Sequence, residues 1–212
     1  MYKRLSDEQL EALLTAGIDE FAQRGYAGAR LSAIAKRADI SVGVIYKYYA
    51  DKNSLFLACV RFCLQALTDA LKDVAQKSDD LMESLKAVIH TLILHAKEHK
   101  EINRMYHEIT GIGTEQFSGD LAEEVEGISA LVYTDLIRKA QSNHMCREDI
   151  DPELFAFFFD SLFMMLQFSY ACDYYRERLK LYCGADIFED DSRVERELVK
   201  FLSAALGVKS CT

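Results

Sequence analysis

At 212 residues, half of them hydrophobic and with a net charge of −9, the chain suits one or two globular domains with sizeable cores and is far too apolar for a disordered protein. The charge is uneven: residues 1–55 carry eight Lys and Arg against seven Asp and Glu, net +1, and the remainder is net −10. A nucleic-acid-binding surface, if the chain has one, must lie in the N-terminal quarter.

Proline occurs once, at Pro152, and no window alternates apolar and polar residues, so helical periodicity dominates and the fold class is all-α. Ser6 with Gln9 three residues later reads as a capping box, followed by the apolar face Leu10, Leu14, Ile18 and Phe21, with Gly25 as the C-terminal cap. A short second helix near 32–38, the turn "DIS" and a third short helix near 42–49 follow. Asp51 can cap a fourth helix over 52–76. Further helices are predicted over 80–98, 101–110, 120–142, 152–182 and 191–206, with "TGIGTEQFSG" as a loop and Gly207 closing the last.

The run 154–172 is apolar enough to suggest a membrane span, but Asp160 in its middle makes a helix buried against its own core and a partner the better reading. The six cysteines, behind an N-terminus with no long apolar core, are expected as reduced thiols in a cytoplasmic protein.

Two short helices joined by "DIS" make a helix-turn-helix pattern over about 30–49. On a helical wheel Ile45, Tyr48 and Tyr49 pack toward Leu31, Ile34, Ala35 and Ala38. Gly43 and Lys47 fall on the opposite side, flanked by Val44 and Tyr46. DNA suits such a face: Lys and Tyr meet phosphates, Val meets a thymine methyl, and a glycine permits close approach. Ser41 can cap the helix that enters the groove, and Lys52 opens the next helix, where backbone N–H groups favour a phosphate.

The stretch "LSAIAKRADISVGVIYKYYADKNSLF" resembles the DNA-binding signature of the TetR family of bacterial transcriptional regulators. Ile34-Ala35, Ala38, Ser41, Gly43, Tyr46, Tyr49 and Lys52 carry the resemblance, which spans roughly residues 8–60. It implies a helix-turn-helix DNA-binding domain over 1–51, within an N-terminal three-helix bundle, and a larger helical domain over 52–212 that binds a small molecule and forms a homodimer. By position, Ser32 would contact DNA, Val42, Gly43, Val44, Lys47 and Tyr48 would read the groove, and Tyr46 and Lys52 would hold phosphates. Four positions depart from the family pattern. Arg30 stands where Thr or Ser often caps the second helix, Val42 and Val44 where polar readers are common, and Tyr48 where His is frequent.

The dimer would form through the last two long helices, with Phe158, Met165, Leu198, Phe201 and Leu202 at the interface. An effector pocket would draw on Tyr106, Tyr133, Gln167 and Tyr170, with Phe62 and Met105 as apolar lining, and this content suggests an apolar or aromatic effector. The resemblance implies a repressor that such an effector releases from a palindromic operator.

No feature calls for a cofactor, and the reading is not an enzyme. "HAKEH" matches an H-x-x-E-H zinc pattern through His95, Glu98 and His99, but no third ligand can be named, and His95 more simply ends the apolar face of Leu85, Val88 and Leu92. A zinc enzyme and a helical adaptor that does not bind DNA are the alternatives. Cys59 and Cys63, one helical turn apart, read as small buried thiols before they read as an oxidant sensor.

Overall fold

The computed structural model describes residues 4–77, 80–111 and 118–208. The described residues form ten α-helices and one 3-10 turn. They are α1 (Asp7–Gly28), α2 (Leu31–Arg37), α3 (Val42–Tyr48), α4 (Lys52–Lys77), α5 (Leu81–Glu98), α6 (Lys100–Gly111), α7 (Ser118–Ser142), α8 (Pro152–Ala171), α9 (Asp173–Cys183), the turn Ala185–Glu189 and α10 (Asp191–Leu206). The greater part of the expected loop "TGIGTEQFSG", residues 112–117, lies outside the described residues.

The local signals act as the sequence suggests. Ser6 and Gln9 form the reciprocal capping box of α1, and the Asp80, Asp151 and Asp190 carboxylates accept backbone N–H groups at the starts of α5, α8 and α10. Gly25 adopts a left-handed φ of 67°, but it bends α1 rather than ending it, and one more turn follows to Gly28. Gly207, also left-handed, closes α10, and Arg147 donates its amide to the last-turn carbonyl of Leu206.

The chain packs as two compact units, Met1–Gln65 with Glu101–Val125, and Ala66–Lys100 with Glu126–Thr212. The expected boundary at residue 51 is the α3–α4 junction, and the first half of α4 groups with α1–α3. The first unit is built on Leu13 and Phe21 of α1, Ile34 of α2, Ile45 of α3, and Leu55, Phe56 and Cys59 of α4, with Met105 of α6 sealed among them. Phe21 and Tyr26 both meet the Phe56 ring edge-on, with centroids 4.9 and 5.1 Å away. Gly17 lets α1 and α4 approach closely: a Cβ there would stand 2.6 Å from the Cys59 Sγ.

In the second unit α5 is the central helix. Leu81, Leu85, Val88, Ile89, Leu92, Ile93 and Ala96 line its buried side, and it packs against both α8 and α10. Polar links clip α10 down: Lys97 Nζ lies 2.6 Å from Asp191 Oδ2, the Tyr170 hydroxyl donates to Asp191 Oδ1 at 3.0 Å, and His90 Nδ1 lies 2.7 Å from Glu195.

The single helix expected over 152–182 is two. The chain breaks at Cys172, an extended residue whose amide donates to the Phe168 carbonyl to end α8 and whose carbonyl accepts the Arg176 amide to start α9. Arg176 holds the corner, donating to the Tyr170 carbonyl at 3.1 Å and stacking 4.2 Å over the Phe188 ring. Among the described residues α8 is the one helix long and apolar enough to cross a membrane by length and composition. Instead, Phe159, Phe163 and residues 167–171 are buried within the unit.

Candidate nucleic-acid interface

Ile45, fully buried, anchors α3, and the Ser41 carbonyl accepts the Val44 and Ile45 amides to start it. Ser41 occupies the N-cap position, yet its side chain makes no capping bond, contrary to the expected role. Arg30 likewise leaves α2 without a side-chain cap. A residue that sequence reasoning missed holds the Arg30 backbone instead. The buried Glu20 accepts the Arg30 amide at 3.3 Å, pairs with Arg24 at 3.5 Å, and has Arg37 at 3.9 Å. The signal was present in the i, i+4 spacing of Glu20 and Arg24, although nothing in the sequence marks that acid as buried.

Ser32 of α2, Ser41, and Gly43, Tyr46 and Lys47 of α3 are exposed, with Val42 and Val44 half-buried beside them. Tyr46 keeps 55% of its surface in solvent. Gly43 is helical rather than left-handed, and a Cβ on it would meet only the Ser41 Oγ at 3.8 Å. The fold therefore does not require a glycine at position 43. A bare backbone there leaves the surface of α3 open.

Two residues expected at the interface are engaged elsewhere. The Tyr48 hydroxyl accepts the Leu5 amide at 2.6 Å, tying the start of the chain to the end of α3. Lys52 turns its ammonium 4.8 Å over the Tyr26 ring and onto the Ala27 carbonyl at 3.3 Å, and burial lowers its pKa, partly offset by Glu20. The amides opening α4 are capped by Asp51, which accepts from Ser54 N at 2.8 Å. That bond and the Ser54 hydroxyl hold the Asp51 carboxyl below its usual pKa. A carboxylate thus sits where a phosphate was expected.

The six expected pocket residues divide between the units. Met105 is sealed in the first core, Tyr106 packs against that core, and Phe62 is largely exposed. Tyr133, Gln167 and Tyr170 are buried in the second unit. Gln167 donates to the Phe163 carbonyl of its own helix, and the Tyr170 hydroxyl is committed to Asp191. Of the expected dimer residues, Phe158 and Phe201 are half or more exposed, Met165 and Leu198 are half-buried, and Leu202 is 0% exposed. Leu202 is part of the protomer's own core and has no surface to offer a partner.

Burial pushes the Cys63 thiol up to about 12 and Cys59 higher, and the Cys59 Sγ donates to the Leu14 carbonyl at 3.6 Å, so neither is a ready thiolate. No group of three or more metal-ligating side chains occurs among the described residues. The His95 ring lies 4.8 Å from that of His99, and both His95 nitrogens are buried without a hydrogen-bond partner among the described residues.

Burial and His99 lower the His95 pKa from 6.5 to about 4. As pH falls through 6.5 the unfolded imidazole takes up a proton that the folded one refuses until about pH 4, so stability is lost across that window. His95→Leu is expected to shrink the loss of unfolding free energy between pH 7 and pH 4.5, as measured by denaturant titration. An unchanged pH dependence would show that His95 is not its source.

The comparisons agree with this geometry. Residues 13–59 match the family model for bacterial regulatory proteins, tetR family. The HTH-type transcriptional regulator YvdT of Bacillus subtilis is 27% identical over 93% of this chain and 94% of its own length. IcaR of Staphylococcus aureus, the negative regulator of the biofilm operon icaADBC, is 22% identical over 75% of this chain and 84% of its own. The solved structure of the fatty acid degradation regulator FadR from Bacillus halodurans superposes with a TM-score of 0.70 over 99% of this chain and 98% of that one, at 15% identity. A helix-turn-helix matched by the family model over residues 13–59, with an exposed Gly43–Tyr46–Lys47 face, identifies the N-terminal part of this chain as a domain of the tetR family of bacterial regulatory proteins, and the chain is similar over nearly its whole length to an HTH-type transcriptional regulator.

Proposed function

We propose that the protein is a homodimeric repressor that leaves a palindromic operator when a small apolar or aromatic effector binds its larger unit. The observation that carries the DNA half is the exposed, side-chain-free Gly43 beside Tyr46 and Lys47, on a helix whose opposite side is anchored by buried Ile45. Val42 and Val44 flank the face, so methyl contacts and DNA shape would carry much of the specificity. The dimer half rests on α8, where Leu154, Phe157, Phe158 and Leu162 repeat at helical spacing and stay exposed, and on Phe201 of α10. Relatives named as a negative regulator and a fatty acid degradation regulator favour repression and an apolar effector. The cytoplasm, where DNA is reached and thiols stay reduced, is the proposed setting.

The two recognition helices of a dimer would reach major grooves about 34 Å apart, or at a larger operator-specific spacing. An effector that favours a different spacing lowers operator affinity, and the operator opposes the effector by the same coupling, typically ~1–3 kcal/mol. Because α4 runs from the first unit into the second, it is the proposed carrier of that change.

Selection from random duplexes should enrich an inverted repeat. On that duplex Gly43→Ala should keep or raise thermal stability by up to ~1 kcal/mol, since Ala is the better helix former, yet bind at least tenfold more weakly. Lys47→Ala should weaken binding and lower the salt slope by about one. Selection that enriches no repeat, or Gly43→Ala binding as tightly as the parent, would overturn this assignment in favour of a non-DNA adaptor.

A further inference from the structure

The first unit commits three of its cations to its own acids and rings. Arg24 and Arg37 pair with Glu20, Arg37 also with Asp19 at 3.2 Å, and Lys52 turns onto Tyr26 and Ala27. Arg4, by contrast, is exposed and makes no ion pair or hydrogen bond among the described residues. What singles it out is how the backbone beside it is held.

Leu5 is pinned twice. Its side chain packs against the first core, and its amide donates to the Tyr48 hydroxyl at 2.6 Å, across 43 positions of sequence. Ser6 follows at once in the capping box of α1, its amide donating to Gln9 Oε1 at 3.1 Å and its Oγ accepting the Gln9 amide at 3.3 Å. The chain is thereby fixed from Leu5 onward, and Arg4 is joined to the pinned amide through its own carbonyl. An amide this close to solvent could be met by water, so the bond to Tyr48 adds little net stability, and what it sets is position.

Position matters because of where Tyr48 stands. It directly follows Lys47 in the last turn of α3, the helix whose Gly43–Tyr46–Lys47 side is exposed. A recognition helix enters the major groove by its N-terminal residues, so its C-terminal turn lies where the chain leaves the groove and meets the strand backbone. A guanidinium tethered at that turn is in place for a phosphate, which it matches in charge and in its forked donors.

We propose that Arg4 holds an operator phosphate beside the C-terminal turn of α3, with Tyr48 as its positioning residue through the Leu5 amide; this deepens the DNA-binding reading above and rests on it. The full chain is titrated onto the selected duplex by fluorescence anisotropy over a series of salt concentrations. Arg4→Ala should bind several-fold more weakly and lower the slope of log affinity against log salt by about one per half-site. Tyr48→Phe keeps the ring and removes only the acceptor. It should open the Leu5 amide to hydrogen exchange and show much of the Arg4→Ala defect. With Tyr48→Phe in place, Arg4→Ala should weaken binding little further, a coupling that a double-mutant cycle reads. A phosphate contact carries no sequence, so exchanging the base pairs that flank the selected repeat should leave the Arg4 effect unchanged.

Arg4→Ala with parent affinity and parent salt slope, additive effects of the two substitutions, or an Arg4 effect that disappears with the flanking sequence would overturn the proposal. Should Tyr48→Phe fail to fold, the salt slope of Arg4→Ala and the flank exchange decide the matter. Lys47→Ala on the same duplex keeps the two readings apart. Binding weakened by Lys47→Ala but indifferent to Arg4→Ala sinks this proposal alone. Absence of binding by wild type sinks the DNA-binding reading itself.

Discussion

Glutamate at both Phe158 and Phe201 is expected to leave the protein folded but monomeric, and to lower its affinity for the selected inverted repeat by at least about 100-fold through loss of the second half-site. These two rings keep 50% and 59% of their surface in solvent within the protomer, so removing them opens no cavity. Surface substitutions of this kind usually change protomer stability by only about 0.5 kcal/mol in either direction. In a dimer that pairs this face with its own copy, four carboxylates would be brought together in a patch that otherwise buries aromatic rings, and uncompensated charge there is costly. Sedimentation of the double variant reads the outcome. A dimer that persists at micromolar concentration would place the association surface elsewhere. Leu202 makes the contrast: it lies on the same helix as Phe201 but is fully buried, so its truncation acts on the core and not on association.

Gly17→Ala is expected to destabilise the first unit by about 1–3 kcal/mol, the usual range for overpacking, whereas the same change in an open helix would stabilise it by about 1 kcal/mol. The new Cβ would fall 2.6 Å from the Cys59 Sγ, and Cys59 is itself fully buried between Leu14 and its neighbours on α4. Adding Cys59→Ala removes the colliding sulfur, so the double variant should recover most of the loss, a coupling that a double-mutant cycle in urea measures directly. Gly17→Ala more stable than wild type would mean that α1 and α4 can part at no cost.

Much of this was legible in the order of residues. The capping box at Ser6, the aspartate at 51 and Gly207 are local chemistry, complete within a few neighbouring positions, and the structure uses each as expected. The exposed Gly43–Tyr46–Lys47 face was legible for the same reason, because a seven-residue helix pinned by Ile45 leaves little choice of which side points out. The break at Cys172 was not. Residues 152–182 contain no glycine and only the opening proline, and the corner depends on Arg176 reaching Tyr170 and Phe188. The contacts of Lys52 and Tyr48 within the fold were not legible either. Their residue types fit phosphate and groove, but the neighbours that claim them, Tyr26 and Ala27 in one case and Leu5 in the other, are 25 or more residues away in the chain.

The sequence by itself determined the helical class, most helix ends, the confinement of DNA-favouring charge to the first quarter, and the family, because periodicity, caps and motif spacing are short-range properties. Tertiary structure alone decided that Leu202 is core while Phe201 is surface, that a buried Glu20 holds the Arg30 amide, and that the chain turns a corner at Cys172. Each of these depends on which helices come to lie side by side, and that is settled by the packing of whole apolar faces rather than by any one segment.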